Sequence, residues 1–237
     1  MVKVWEVAGG AYEEMSKKIA VLPVGTLERH GDHLPLGTDT IVANYIAEKV
    51  SEALNAHLFP PIWYGVTILR KEFAGSVSVD SQALYAYVKS VLKEIVRNGY
   101  KYIVVLNGHD GNSEVSRTAA IEVAYEAGVC IFVVDWWKDV AQDKKKELFT
   151  YPGHAGENET SVVLHIAPEL VDMSKAKRHI HSVPSISVYS RRIAGKIWPE
   201  AMLGDATRAD AVRGKTLLEA IISEIVDNVK KLMIIDS

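Results

Sequence analysis

Three short runs of apolar, largely β-branched residues limit how this chain can fold: residues 19–24 (Ile-Ala-Val-Leu-Pro-Val), 102–106 (Tyr-Ile-Val-Val-Leu) and 129–134 (Val-Cys-Ile-Phe-Val-Val). A strand exposed on one face would alternate polar with apolar residues, so these runs predict strands covered on both faces. Helical patterns separate them. Ile41, Val42, Tyr45, Ile46, Val50 and Leu54 follow Thr38 or Asp39 as a cap, and Leu84, Val88, Val91, Leu92 and Ile95 follow Ser81 and stop at Asn98-Gly99. A further helix is predicted over 113–127, and Val212, Leu217, Leu218, Ile221, Ile225 and Val229 mark a long closing helix over 210–233. Such alternation predicts an α/β fold with a mainly parallel central sheet, right-handed crossovers and helices on both faces. No linker, repeat or low-complexity segment interrupts it, so a single domain over residues 1–237 is expected. Elsewhere the pattern is weaker. Residues 1–18 read as a lead-in with Glu13, Glu14, Lys17 and Lys18 on a helix, 58–64 as an extended segment, 183–189 as a further strand, and 191–205 as a long loop able to cover a pocket.

Where the strands end, the composition changes abruptly. Behind the first run stands Gly25-Thr26-Leu27-Glu28-Arg29-His30-Gly31-Asp32-His33-Leu34-Pro35-Leu36-Gly37-Thr38-Asp39, and behind the second Asn107-Gly108-His109-Asp110-Gly111-Asn112. A third cluster, Thr150-Tyr151-Pro152-Gly153-His154-Ala155-Gly156-Glu157-Asn158-Glu159, opens an apolar stretch over 162–166 that should be helical. Open parallel sheets place their active sites beyond the carboxyl ends of the strands. Carboxylates and imidazoles are the usual donors for zinc, manganese or iron. Glu28, His30, Asp39, His109 and Glu159 are therefore candidate ligands for two divalent cations. Their three carboxylates would offset three of four positive charges, leaving one for a bridging hydroxide. Coordination lowers the pKa of water from about 15.7 to about 7, which makes a nucleophile without Ser or Cys. A second cation would polarise a carbonyl, and His154 or Glu157 could pass a proton to the departing nitrogen.

Each residue alone has a plainer reading, since a loop histidine is more often hydrogen-bonded than ligating. Three glycine-rich clusters of ligands, two directly after buried strands, favour the metal. His33 reads as a partner of the ligands or as packing. His57, His165, His179 and His181 lie outside the clusters and take no role. Trp136 and Trp137 either pack at the strand end or, for Trp137, wall the pocket and stack on a flat substrate.

Composition excludes other classes. Of 237 residues 48% are apolar and the net charge is −3, with no basic run beyond Lys144-Lys145-Lys146, which is expected on a solvated face. No nucleic-acid footprint follows from that. The lone Cys130 rules out an internal disulfide and reads as an inert, buried strand residue. No charged-then-apolar leader opens the sequence, and no apolar run approaches the roughly 20 residues that span a bilayer, so no membrane contact and a cytoplasmic location are expected.

The three clusters resemble the metal motifs of the creatininase (creatinine amidohydrolase) family, in order and in their spread along the chain. The resemblance implies a three-layer α/β/α sandwich, a two-metal centre of zinc, manganese or iron, and hydrolysis of a carbon–nitrogen amide bond in a ring or a formamide. Carried onto this chain, it puts Glu28 and His109 on one metal, His30 on the other and Asp39 between them. In creatininase itself a glutamate two positions after the second-motif histidine completes the second metal. Here Gly111 stands there, so Glu159 is the natural replacement and Asp110 a poorer one. His154 resembles the histidine that handles the substrate or its proton. Many relatives carry histidine where Arg70 stands; this arginine would either bind a carboxylate or phosphate of the substrate or form an ordinary surface ion pair. Relatives that form hexamers imply a homo-oligomer acting on a small-molecule amide. The rival functions are a two-metal phosphoesterase and a non-catalytic, metal-stabilised scaffold.

Overall fold

The computed structural model of the chain describes residues 1–181 and 190–236; the strand expected over 183–189 lies outside them. The three apolar runs become neighbouring strands. The sheet comprises β1 (Val2–Lys3), β2 (Ile19–Val24), β3 (His57–Leu58), β4 (Tyr102–Asn107) and β5 (Cys130–Asp135), ordered β1-β3-β2-β4-β5 with every pairing parallel. Around it lie α1 (Gly9–Glu14), α2 (Thr38–Leu54), α3 (Ser81–Arg97), α4 (Ser113–Ala127), α5 (Gln142–Leu148), α6 (Glu157–Ile166), α7 (Arg191–Ile197) and α8 (Ala211–Ile235).

The absence of alternation in β2 and β4 has the expected cause. Ile19, Val21 and Val104 pack on one face with Val42 and Ile46 of α2, Val163 of α6 and Leu218 and Ile221 of α8. Ala20, Leu22, Ile103 and Val105 pack on the other with Leu84 and Val88 of α3 and Ala119 and Val123 of α4. The result is a three-layer α/β/α sandwich. α2 leaves β2 on one face toward β3, whereas α4 leaves β4 on the opposite face toward β5. The two chains therefore part at the carboxyl ends of adjacent strands, the switch point where open α/β sheets form a crevice.

Several local expectations need correction. Residues 1–18 add an edge strand and a helix that ends at Glu14, so Lys17 and Lys18 are not helical. Residues 191–205 are not a plain loop: α7 occupies Arg191–Ile197, a 3-10 turn Pro199–Ala201, and Gly204–Asp205 pairs antiparallel with Arg178–His179. Gly37, not Thr38 or Asp39, flanks α2, and Asp39 falls in the helix's first turn. Cys130 is only half-buried, on an edge strand, with its thiol pushed up by burial and by Asp236. Lys145 does not share a solvated face with its neighbours; its Nζ turns inward to the carbonyl of Trp137 at 2.5 Å. No described helix is long and apolar enough to cross a membrane.

Gly108 lets the N-terminus of α2 sit directly on the end of β4. A Cβ there would lie 2.2 Å from the carbonyl oxygen of Asp39. Gly108→Ala should therefore force α2 off the sheet, at a cost of about 1–3 kcal/mol for overpacking, and lower the melting temperature by several degrees in calorimetry. Gly10→Ala, where an added Cβ meets nothing within 4 Å, should leave it unchanged or slightly raised.

Candidate metal centre

The loop after β2 is folded back on itself by a bond from the Glu28 amide to the carbonyl of Leu36, at 3.0 Å. That turns the Glu28 side chain inward, where it is completely buried. One of its oxygens accepts from the Thr67 hydroxyl; the other, Oε1, has no hydrogen-bond partner. From the second cluster, Asn107 clamps the turn that carries His109: its Oδ1 accepts from the His109 amide at 3.1 Å and its Nδ2 donates to the His109 carbonyl at 2.8 Å. Asn107 is itself held by Asp135 Oδ1 at 2.6 Å, a carboxylate neutralised by Arg117 and Lys138.

Each histidine of the centre uses one ring nitrogen on a backbone carbonyl. His109 Nε2 lies 3.0 Å from the carbonyl of Val66, and His30 Nδ1 lies 3.1 Å from that of Glu28. A carbonyl can only accept, so both of these nitrogens carry a proton, and the opposite nitrogens are the ones a proton or a cation can occupy. Those nitrogens face carboxylate. Asp39 stands between the rings, its Oδ1 3.1 Å from His30 Nε2 and its Oδ2 3.0 Å from His109 Nδ1. Acceptor against acceptor at that distance is repulsive unless a proton or a cation lies between, and Asp39 Oδ2, like Glu28 Oε1, is buried without a hydrogen bond. Glu28, Asp39 and His109 offer ligand atoms within 4.8 Å of one another, as do Glu28, His30 and His154. Glu159 Oε2 lies 4.0 Å from His30 Nε2. The donor set fits divalent cations.

The electrostatics agree. Burial alone would lower His30, but Asp39, Glu28 and Glu159 outweigh it and raise the imidazole to about 9. Burial would likewise lower His109, yet Glu28 and Asp39 raise it. Burial pushes Glu159 up to about 7, with His30 opposing and Asp39 adding to the rise. Asp39 would also rise on burial, but His30 and His109 hold it well below the ordinary carboxylate range. The cluster is an excess of buried negative charge that draws protons onto its histidines.

Around it, the sequence candidates separate. Asp110 is 80% exposed and paired with Lys138, so it is not gathered into the cluster. Nor could a longer side chain replace Gly111, because a Cβ there would meet the Val66 carbonyl at 1.9 Å, the same oxygen that fixes His109. His154 stacks beside His30 with ring centroids 4.3 Å apart, and its Nε2 is 3.6 Å from Glu28 Oε1. Burial, then Arg70 and His30, push it well below the usual imidazole value, so it stays neutral. Glu157 drops out as a proton carrier: it accepts from the amides of Thr150 and Tyr151 and from Arg213 at 2.7 Å, tying the third cluster to α8. His33 is a packed neighbour, bonded to Thr160 Oγ1 at 2.9 Å and lowered by burial to about 4.

Arg70 is no surface ion pair. It is 9% exposed, its Nε donates to His154 Nε2 at 2.9 Å, and it lies 3.5 Å from Glu28 Oε1. Under its guanidinium, 4.8 Å away, lies the ring of Trp198, which also meets His154 edge-on at 6.2 Å. Trp137 follows the edge strand β5 and packs edge-on against Trp136.

A family model described as creatinine amidohydrolase matches residues 6–229. The chain belongs to the creatininase family. It is 29% identical to the creatinine amidohydrolase of Pseudomonas putida over 90% of this chain and 89% of that one. It is also 31% identical to the mycofactocin precursor peptide peptidase of Mycolicibacterium smegmatis, over 90% and 85%. A solved structure described as a manganese creatininase matches with a TM-score of 0.87 at 26% identity, covering 97% of this chain and 98% of that one. Against the creatininase motifs, sequence reasoning missed Thr67, the Val66 carbonyl and Trp198. A carbonyl has no sequence signal, and only the tryptophan's place in a segment expected to cover a pocket pointed to it.

Two outcomes test the centre. Asp39→Asn should lower the divalent metal retained per chain, measured by plasma emission spectrometry, with the circular dichroism spectrum unchanged; full retention would remove Asp39 from the ligand set. Because His30 is protonated below about 9 and ligands must be deprotonated, cation uptake at pH 7.5 should release protons. Its calorimetric heat should then vary with the buffer's ionisation enthalpy, and apparent affinity should fall as pH falls.

Proposed function

We propose that this chain is a divalent-metal-dependent amidohydrolase that cleaves a carbon–nitrogen amide bond by attack of water. The observation that carries the reading is the carboxylate of Asp39 set between two imidazole nitrogens, His30 Nε2 at 3.1 Å and His109 Nδ1 at 3.0 Å. Glu28 and His109 are assigned to one cation, His30 and Glu159 to a second, and Asp39 to both. Cations held there, of zinc, manganese or iron, would supply a water acidified toward neutral pH and would polarise the scissile carbonyl.

The chain's own residues do the rest. His154 is the catalytic proton carrier: neutral, buried and beside Glu28, it takes up a proton through Nε2 and delivers it to the departing nitrogen. Arg70 now holds that atom by a bond from its Nε at 2.9 Å, with the carbonyl of Arg29 3.2 Å away on the same nitrogen. Release of this bond is the step that frees the base. Arg70 and Trp137 are assigned to substrate binding, with Trp198 as a further wall. The homo-oligomer that family resemblance suggests belongs to the same proposal; Trp63, Tyr64 and Ile68, about half exposed along the segment leading to Arg70, favour self-association.

His154→Gln should lower kcat on an amide substrate by about a hundredfold or more while leaving metal content intact. A panel of creatinine, formamides and dipeptides, set against p-nitrophenyl phosphate, identifies the reaction class. Turnover of the phosphate ester without any amide would replace the reading by a two-metal phosphoesterase, and no turnover by a fully loaded sample would leave a scaffold.

A further inference from the structure

We infer that the site takes an amide bearing a carboxylate within two or three bonds of its scissile carbonyl, bound by the unfilled fork of Arg70. This rests on the amidohydrolase reading above and names its substrate class. A guanidinium carries five N–H donors. The one on Nε is given to His154 at 2.9 Å, and among the described residues neither terminal nitrogen of Arg70 donates a hydrogen bond. Burying a cation with its donors unfilled is costly. The Arg70 side chain keeps 11% of its surface exposed, so it is not sealed from solvent. A planar pair of donors that reaches solvent is the geometry that accepts a carboxylate in two parallel bonds.

Trp198 backs the guanidinium. Its ring centroid lies 4.8 Å from the guanidinium carbon, a cation–π contact that limits the freedom of the fork before any ligand arrives. Charge gives the sign of the ligand. The three carboxylates of the ligand set, were they to hold two divalent cations and one hydroxide, would sum to zero, and Arg70 would then add a positive charge beside Glu28. A substrate monoanion restores neutrality; a neutral lactam leaves it standing. Reach sets the size. Arg70 Nε is 3.5 Å from the Glu28 oxygen, and a hydrogen bond adds only about 3 Å beyond the terminal nitrogens. An anion at the far end of a sugar lies too distant, whereas the carboxylate of an N-acyl amino acid or of a lactam acid falls within range.

The test uses the metal-loaded protein and two pairs of probes that differ only in this charge. Calorimetric titration with malonamate and malonamide reads binding; turnover of N-formylglycine and N-formylglycinamide reads the reaction. In the wild type the acid should bind at least about tenfold tighter than the diamide, as expected of a charge-assisted pair. Arg70→Gln should collapse that ratio to within about threefold, and Arg70→Lys should restore part of it. Metal content is measured on each variant so that lost binding is not lost metal. An acid preference that survives Arg70→Gln would mean the carboxylate sits on the metals, and equal binding of acid and diamide by the wild type would mean Arg70 serves only to position His154; either overturns the inference. Arg70-dependent binding of malonamate without turnover of any amide would leave the anion site standing and sink the hydrolase instead.

Discussion

The structure depends on seating the N-terminus of one helix on the ends of two parallel strands. α2 can reach that place because position 108 has no side chain, and the contact brings Asp39 between His30 and His109 at the switch point of the sheet. The first turn of a helix favours negative charge, so the carboxylate that stands between the histidines is also well placed electrostatically. The same contact brings strand ends and helix start together, which couples the integrity of the core to the geometry of the site. Loops alone would not fix two imidazoles and a carboxylate to within a few tenths of an ångström. Here each imidazole is further pinned by a backbone carbonyl, that of Val66 or of Glu28.

Buried carboxylates occur in two kinds, and the contrast separates scaffold from site. Glu157 is closed off by Arg213 and Arg208, and Asp135 by Arg117 and Lys138, each binding a loop to its neighbour. Glu28 and Asp39 have no such closure. Their orphaned oxygens face imidazoles rather than ammonium or guanidinium groups, apart from the Nε of Arg70 beside Glu28. Carboxylates buried together with only histidines to balance them cost the fold stability. A centre that takes up cations turns the same feature into binding energy.

Much of this was legible in the residues. Non-alternating strands, helical periodicity and the clusters at strand ends specified the α/β/α layering and the five candidate ligands, because burial on both faces and ligand chemistry both leave compositional traces. What failed shares a physical cause. Val2–Lys3 is a strand of two residues, too short to show a period, and Gly195 and Pro199 punctuate 191–205 so heavily that its two helical turns read as loop. Arg70 and Lys145 looked like surface cations, since a long side chain's direction is set by tertiary packing and not by its neighbours in sequence. Asp110 reads from sequence as a poorer ligand than Glu159 and Glu157 as a proton carrier, and the fold shows the first exposed and the second tied to Arg213.

The most direct test of the central claim is anomalous diffraction at the manganese edge from crystals grown with that metal. The account predicts two peaks flanking the Asp39 carboxylate, one on the His109 side and one on the His30 side. Manganese bound elsewhere, or a cluster that stays free of it while the protein remains folded, would contradict it.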